Sequence, residues 1–190
     1  MVWKNDQVNE KEIAEILKLA RECLEVEGDF VELGCYKGDT SLMLAELLVE
    51  NSVDKSVKKL WIYDSFEGLP EKSEEDASSL GVDFKEGELF VTKKEVKNRF
   101  LRAGLPVPVI KKAWFADLTE DDLPERIAFA FLDGDFYESI RDSLKLVGPK
   151  MVESGAIVVH DYTNPALPGV AKAVDEWLIG KTRNYKVVLL

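Results

Sequence analysis

The stretch Phe30-Val-Glu-Leu-Gly-Cys-Tyr-Lys-Gly-Asp-Thr40 decides how this chain is read. It opens as a short apolar run after Gly28-Asp29 and carries Glu32, Gly34 and Gly38. It then passes into a helical pattern with Leu44, Leu47 and Leu48 on one face. That order is a strand, a tight turn and a helix N-terminus. A carboxylate at the strand end, Glu32, is placed to accept hydrogen bonds from ammonium or hydroxyl groups lying across the turn. The spacing is E-x-G-x-x-x-G, which departs from the G-x-G-x-x-G dinucleotide pattern.

Working outward, the same alternation repeats. Ile13, Ile16, Leu17, Ala20, Cys23 and Leu24 recur at helical spacing before the opening strand. Lys58 to Asp64 is a second apolar run ending in a carboxylate, and Val107 to Lys111 a third strand candidate. Between them, Ser65 to Gly87 shows no period and reads as a loop or cap. Thr92-Lys-Lys-Glu95 is a capping box with Val91 and Val96 as its hydrophobic staple, and Gly104 ends that helix. Ile127 to Asp133 is the most apolar run, as a central strand requires. Phe136, Ile140, Leu144, Val147 and Met151 form a helical stripe, Gly155 to His160 a fifth strand, and Pro168 to Gly180 a further helix. Tyr185 to Leu190 is the last strand candidate.

Strands and helices alternating at these lengths predict an α/β domain, doubly wound around a mostly parallel sheet with helices on both faces. All 190 residues fit one domain, with a cap at about 65–105. Ligands in such sheets sit beyond the carboxyl ends of the strands. That rule gathers Glu32, Asp64, Asp117, Asp133, Asp135, His160 and Asp161. Like charges that close repel, and a divalent cation is the usual remedy.

A formal net charge of -11 argues against nucleic acid or an anionic membrane surface as the main partner. No apolar run is long enough to span a bilayer, and the N-terminus lacks a secretory pattern. Cys23 and Cys35 are too few for a disulfide framework. The expectation is a soluble protein of the reducing cytoplasm.

Four stretches and one short segment carry a resemblance: VELGCYKGDT (31–40), YDSFEGLPE (63–71), the D-x-D-x-Y-E-S and H-D-Y region (131–162), PGVAKAVDEWL (168–178), and Trp114-Phe-Ala-Asp117. Together they resemble the macrocin O-methyltransferase (TylF) family of class I enzymes dependent on S-adenosylmethionine (SAM). The resemblance implies a Rossmann-like class I methyltransferase fold and transfer of a methyl to a hydroxyl of a sugar or natural product. It implies that Glu32, Gly34 and Gly38 line the methionine part of SAM, and that Asp64 contacts the ribose with Ser65 beside it. Asp117 or its neighbours would border the adenine. Asp133, also at the cofactor, and Asp161 would hold a magnesium ion, with manganese the other candidate if His160 joins them, and Asp135 would be the general base.

The chain departs from the family pattern in two places. His160-Asp161 stands where two acidic residues precede the tyrosine, and imidazole favours softer ions than magnesium. His160 therefore has three readings: a metal ligand with Asp133 and Asp161, a hydrogen-bonded strand-end residue, or the base. The usual closing hairpin also has only one strand candidate. Its partner is missing, or comes from the last helix region or from a second subunit of a homo-oligomer. Asp135 is alternatively the N-cap of a helix starting at Phe136, and Asp117 the cap of the Thr119 turn. Rival functions are a metal-independent methyltransferase, a SAM-binding protein without catalysis, and, disfavoured by the glycine spacing, an NAD-binding protein.

Overall fold

The structure is a computed structural model that describes residues 7–51, 58–81, 84–180 and 182–190. Residues 82 and 83 of the expected cap lie outside the described residues. Six parallel strands form one sheet in the order β3-β2-β1-β4-β5-β6. They are β1 (Asp29–Leu33), β2 (Leu60–Asp64), β3 (Val109–Lys112), β4 (Ile127–Leu132), β5 (Met151–Val159) and β6 (Lys186–Leu189). The helices are α1 (Glu10–Glu22), α2 (Asp39–Glu50), α3 (Lys93–Ala103), α4 (Tyr137–Val147) and α5 (Pro168–Leu178). Strand order reverses between β1 and β4, so a crevice opens at their carboxyl ends.

Side chains alternate across each strand and divide the core in two. Phe30, Ile62, Phe129, Phe131 and Val158 face α1, α2 and α3, while Val31, Leu33, Ala130, Leu132, Ile157 and Val159 face α4 and α5. β4 is buried along its whole length, as its unbroken apolar run requires. Glu32 shares the face of Phe30 and is therefore turned into the core beneath α2 rather than along the sheet edge. The capping box of α3 and its buried Val91 and Val96 are present.

Two boundaries differ from expectation. Met151 opens β5 instead of closing α4, because Pro149 has no N–H with which to continue the helix. α4 begins at Tyr137 and its N-cap position falls on Phe136, so Asp135 is not the cap. The single closing strand anticipated from the sequence is β6, which pairs parallel to β5. The segment after β2 is closed at its neck, where Leu69 N donates to Glu88 O at 2.7 Å and Gly87 N to Leu69 O at 2.9 Å.

Phe129 is fully buried and its ring centroid lies 5.2 Å from that of Phe30. Phe129→Ala should lower the unfolding free energy by about 3–5 kcal/mol. Leu101→Ala, on the exposed face of α3, should change it by no more than about 0.5 kcal/mol. Chemical denaturation of both variants checks this, and equal losses would contradict the two-faced core.

Candidate functional site

The crevice is a cleft open to solvent at the carboxyl ends of β1, β2, β4 and β5. Gly34 closes the β1 end against β4. A Cβ there would sit 1.9 Å from the carbonyl oxygen of Asp133, and its φ of 88° suits glycine alone. The space beside Gly34 is therefore taken by the chain's own backbone. Gly38 precedes α2 and is absent from the cleft wall.

Asp64, at the end of β2, organises the turn. Its Oδ2 accepts from Cys35 N at 2.9 Å and Tyr36 N at 3.2 Å, and its Oδ1 from Phe66 N at 2.7 Å. Ser65 folds the following residues, its Oγ donating to Gly68 O at 3.1 Å and accepting from Glu67 N at 3.0 Å. Arg99 of α3 grips the other side of the turn, at 2.5 Å from Asp39 and 2.7 Å from the Lys37 carbonyl. Glu32 is 1% exposed and accepts a hydrogen bond from Ser41 Oγ of α2. Burial raises its carboxyl to about 8 against the Ser41 hydrogen bond, with help from the charges of Asp133 and Asp64.

Asp133 follows β4, and His160 and Asp161 follow β5. Nδ1 of His160 lies 2.9 Å from Asp133 Oδ1 and 3.0 Å from Asp161 Oδ2. Its Nε2 lies 3.3 Å from Glu12 Oε2 on α1. Burial alone would lower the imidazole, but the hydrogen bonds to Asp133 and Asp161 outweigh it and raise His160 to about 11. Burial likewise pushes Asp161 up, and the His160 bond and charge more than reverse that, leaving it below its ordinary value. Asp161 Oδ1 also accepts from Asn164 at 2.8 Å. With both ring nitrogens protonated, His160 is itself the counter-cation of these carboxylates. With Nδ1 free, it is a third ligand.

The donor set fits a divalent ion. One atom from each of Asp133, His160 and Asp161 lies within 4.8 Å of the others. Adjacent ligands on an octahedral ion with bonds of about 2.1 Å stand roughly 3.0 Å apart, as the two nitrogen–oxygen distances do. Asp135 lines the same end of the cleft in a left-handed conformation, φ 61°. Burial, then the charges of Asp133 and Asp161, hold its carboxyl well above the ordinary range.

Asp117 is exposed and is not part of the wall, which Ala113, Trp114 and Phe115 supply instead. Lys37 borders the cleft with its Nζ 4.8 Å above the Tyr36 ring. Sequence reasoning missed Glu12, Asp39, Arg99, and the wall residues Gln7 and Val8. The Asn9–Glu12 capping box was a local signal for Glu12, but nothing local pointed to His160 as its partner.

This sheet and crevice define a class I methyltransferase fold, and solved structures agree. "Structure of the O-methyltransferase NovP" superposes with a TM-score of 0.76 at 27% identity, covering 88% of this chain and 70% of that one. Calicheamicin methyltransferase CalS11 shares the fold with a TM-score of 0.72 at 18% identity, over 91% of this chain and 76% of that one. The family model for macrocin-O-methyltransferase (TylF) matches residues 9–184, and the chain belongs to that family. Two relatives are an 8-demethyl-8-(2,3-dimethoxy-alpha-L-rhamnosyl)-tetracenomycin-C 4'-O-methyltransferase from Streptomyces olivaceus, 32% identical over 72% of this chain, and the demethyldecarbamoylnovobiocin O-methyltransferase of Streptomyces niveus, 30% identical over 85% of it. The chain spans 54% and 64% of the lengths of those relatives.

Glu32 gives the site a measurable signature. Folded, it keeps a proton up to about pH 8 that the unfolded chain releases near 4.5. Across that window stability should fall as pH rises, by at most about 1.4 kcal/mol per pH unit from this group. Glu32→Gln should remove that component. Unfolding free energies of both proteins from pH 4.5 to 8 check it, and parallel curves would contradict a buried, protonated Glu32.

Proposed function

We propose that the chain is a SAM-dependent O-methyltransferase acting on a hydroxyl of a small molecule of sugar or natural-product type, assisted by a divalent cation. The observation that carries this reading is the charge of the cleft. Six carboxyl groups border it, those of Glu32, Asp39, Asp64, Asp133, Asp135 and Asp161, against Lys37 and His160. Burial keeps Glu32 and Asp135 protonated and Arg99 pairs with Asp39, so the negative charge is centred on Asp64, Asp133 and Asp161. A wall of carboxylates attracts a ligand with sulfonium and ammonium groups and repels the pyrophosphate of a dinucleotide. The relatives named as O-methyltransferases of glycosylated or related natural products support the same reaction class.

In this reading, Glu32 meets the ammonium of SAM and Asp64 its ribose side, with Trp114 and Phe115 against the adenine. Asp133, Asp161 and, once its Nδ1 proton is released to solvent, His160 would hold the cation, and the imidazole would favour manganese over magnesium. When bound, SAM supplies an electrophilic methyl group and the cation polarises the acceptor hydroxyl. Asp135 takes the hydroxyl proton. Burial, the largest cause that holds Asp135 protonated, would remain with a cation bound, while the charges of Asp133 and Asp161 would be offset. The remaining task is in-line placement, which the rigid strand ends perform.

S-adenosylhomocysteine at a hundredfold excess over its Kd should stabilise the chain by about 2.7 kcal/mol, or roughly 5–10 °C in Tm. Asp64→Ala should weaken that effect, and NAD should give none. Asp135→Asn should leave S-adenosylhomocysteine binding intact and lower methyl transfer about 10²- to 10⁴-fold. A shift with NAD alone would sink the reading, and undiminished transfer by Asp135→Asn would remove the base.

The cation has its own test, titration of manganese and magnesium by calorimetry. Asp133→Ala and Asp161→Ala should abolish manganese binding, while His160→Ala should weaken manganese more than magnesium. A wild-type protein that binds neither ion at millimolar concentration would leave a metal-independent transfer in its place.

A further inference from the structure

Asp76 lies in the unpatterned segment after β2, yet it is 1% exposed. Its Oδ1 accepts from the backbone N–H of Tyr137, the first residue of α4, at 2.7 Å. Its Oδ2 accepts from Ser73 N at 3.1 Å and Ser73 Oγ at 2.6 Å. α4 has no cap from its own N-cap side chain, because Phe136 occupies that position. The carboxylate that satisfies this helix end therefore comes from the loop. The fold keeps space for it. A Cβ on Gly169, in the first turn of α5, would stand 1.9 Å from Asp76 Oδ1. The same loop grips the α5 side through Ser78 Oγ, which donates to Pro165 O at 3.0 Å.

The turn that Asp76 restrains is the one carrying Asp135. Asp135 has φ 61°, and Phe136 N donates to Gly134 O at 2.7 Å across it. A side-chain-bearing residue holds that conformation only where its surroundings impose it. Gly34 packs on this turn from the β1 side, and Asp76 fixes its exit into α4.

We propose that Asp76 is a positioning residue that ties the placement of the described parts of the loop after β2 (65–81 and 84–92) to the placement of Asp135. The loop contributes Gly68, Leu69, Pro70 and Leu89 to the cleft wall, so that part of the wall and the base assemble as one event. This rests on the reading of Asp135 as the base.

Amide hydrogen exchange of Tyr137 in the full chain tests the link directly. Asp76→Ala should speed it by about tenfold, the scale of a lost helix cap. Asp76→Asn keeps an oxygen for the Tyr137 N–H and should return exchange to within a few-fold of wild type. Ser73→Ala touches Asp76 but not α4, and should give an intermediate increase. In turnover, Asp76→Ala should lower kcat with the KM for SAM unchanged, and Asp76→Asn should recover most of it. Unchanged Tyr137 exchange in Ser73→Ala and Asp76→Ala would overturn the proposal, as would full kcat with a deprotected Tyr137 amide. If Asp76→Ala does not fold, Ser73→Ala and Asp76→Asn still decide. Wild-type protein that fails to bind S-adenosylhomocysteine would defeat the methyltransferase reading, while the exchange pattern would still judge the Ser73–Asp76–Tyr137 link.

Discussion

The carboxyl edge of the sheet depends on how closely the turn after β1 is pressed against its two neighbours. On one side the Asp133 carbonyl occupies the space that a side chain on Gly34 would need. On the other, Asp64 holds the Cys35 and Tyr36 amides. These contacts join the ends of β2, β1 and β4 with no flexible spacer, so Glu32, Asp64 and Asp133 have little freedom to move apart. Arg99 adds a fourth attachment from α3. Movement at one strand end would have to pass through the others, because packed backbone transmits displacement rather than absorbing it.

That rigidity brings together carboxylates that repel one another, and the fold answers each differently. Asp39 has an arginine. Asp64 has backbone amides, Glu32 takes up a proton, and Asp133 and Asp161 share an imidazole. Glu12 closes the ring from α1. Unequal compensation gives the cleft distinct ends, a proton-holding carboxyl beneath α2 and a charged cluster at β4 and β5. Sites that do chemistry with several carboxylates depend on such separation of roles.

Much of this was legible in the sequence, because parallel strands buried on both faces announce themselves as apolar runs. Ile127 to Leu132 and Phe30 to Leu33 needed no tertiary information, and the strand-end rule then collected Asp133, Asp135, His160 and Asp161. Helix ends near the site were less legible. Asp135 looked like a cap because it precedes an apolar stripe, whereas the acceptor for Tyr137 N stands 61 residues away. Glu12 meets His160 across 148 residues, and no local pattern encodes that distance. Asp117 had the residue type and neighbourhood of a ligand contact, but its short helical turn directs Trp114 and Phe115 to the cleft and leaves it outside. Periodicity reports which face is buried, whereas a buried carboxylate's partner is set by topology.

Because burial holds a proton on Glu32 beneath α2, uptake of a cation beside it would be linked to release of that proton. A cation settling beside it favours the ionised carboxylate, so below about pH 8 its arrival expels a proton into the medium. The heat measured on binding would then include the ionisation enthalpy of whichever buffer receives that proton. Apparent affinity would climb with pH and level off once the carboxylate is already ionised in the empty protein.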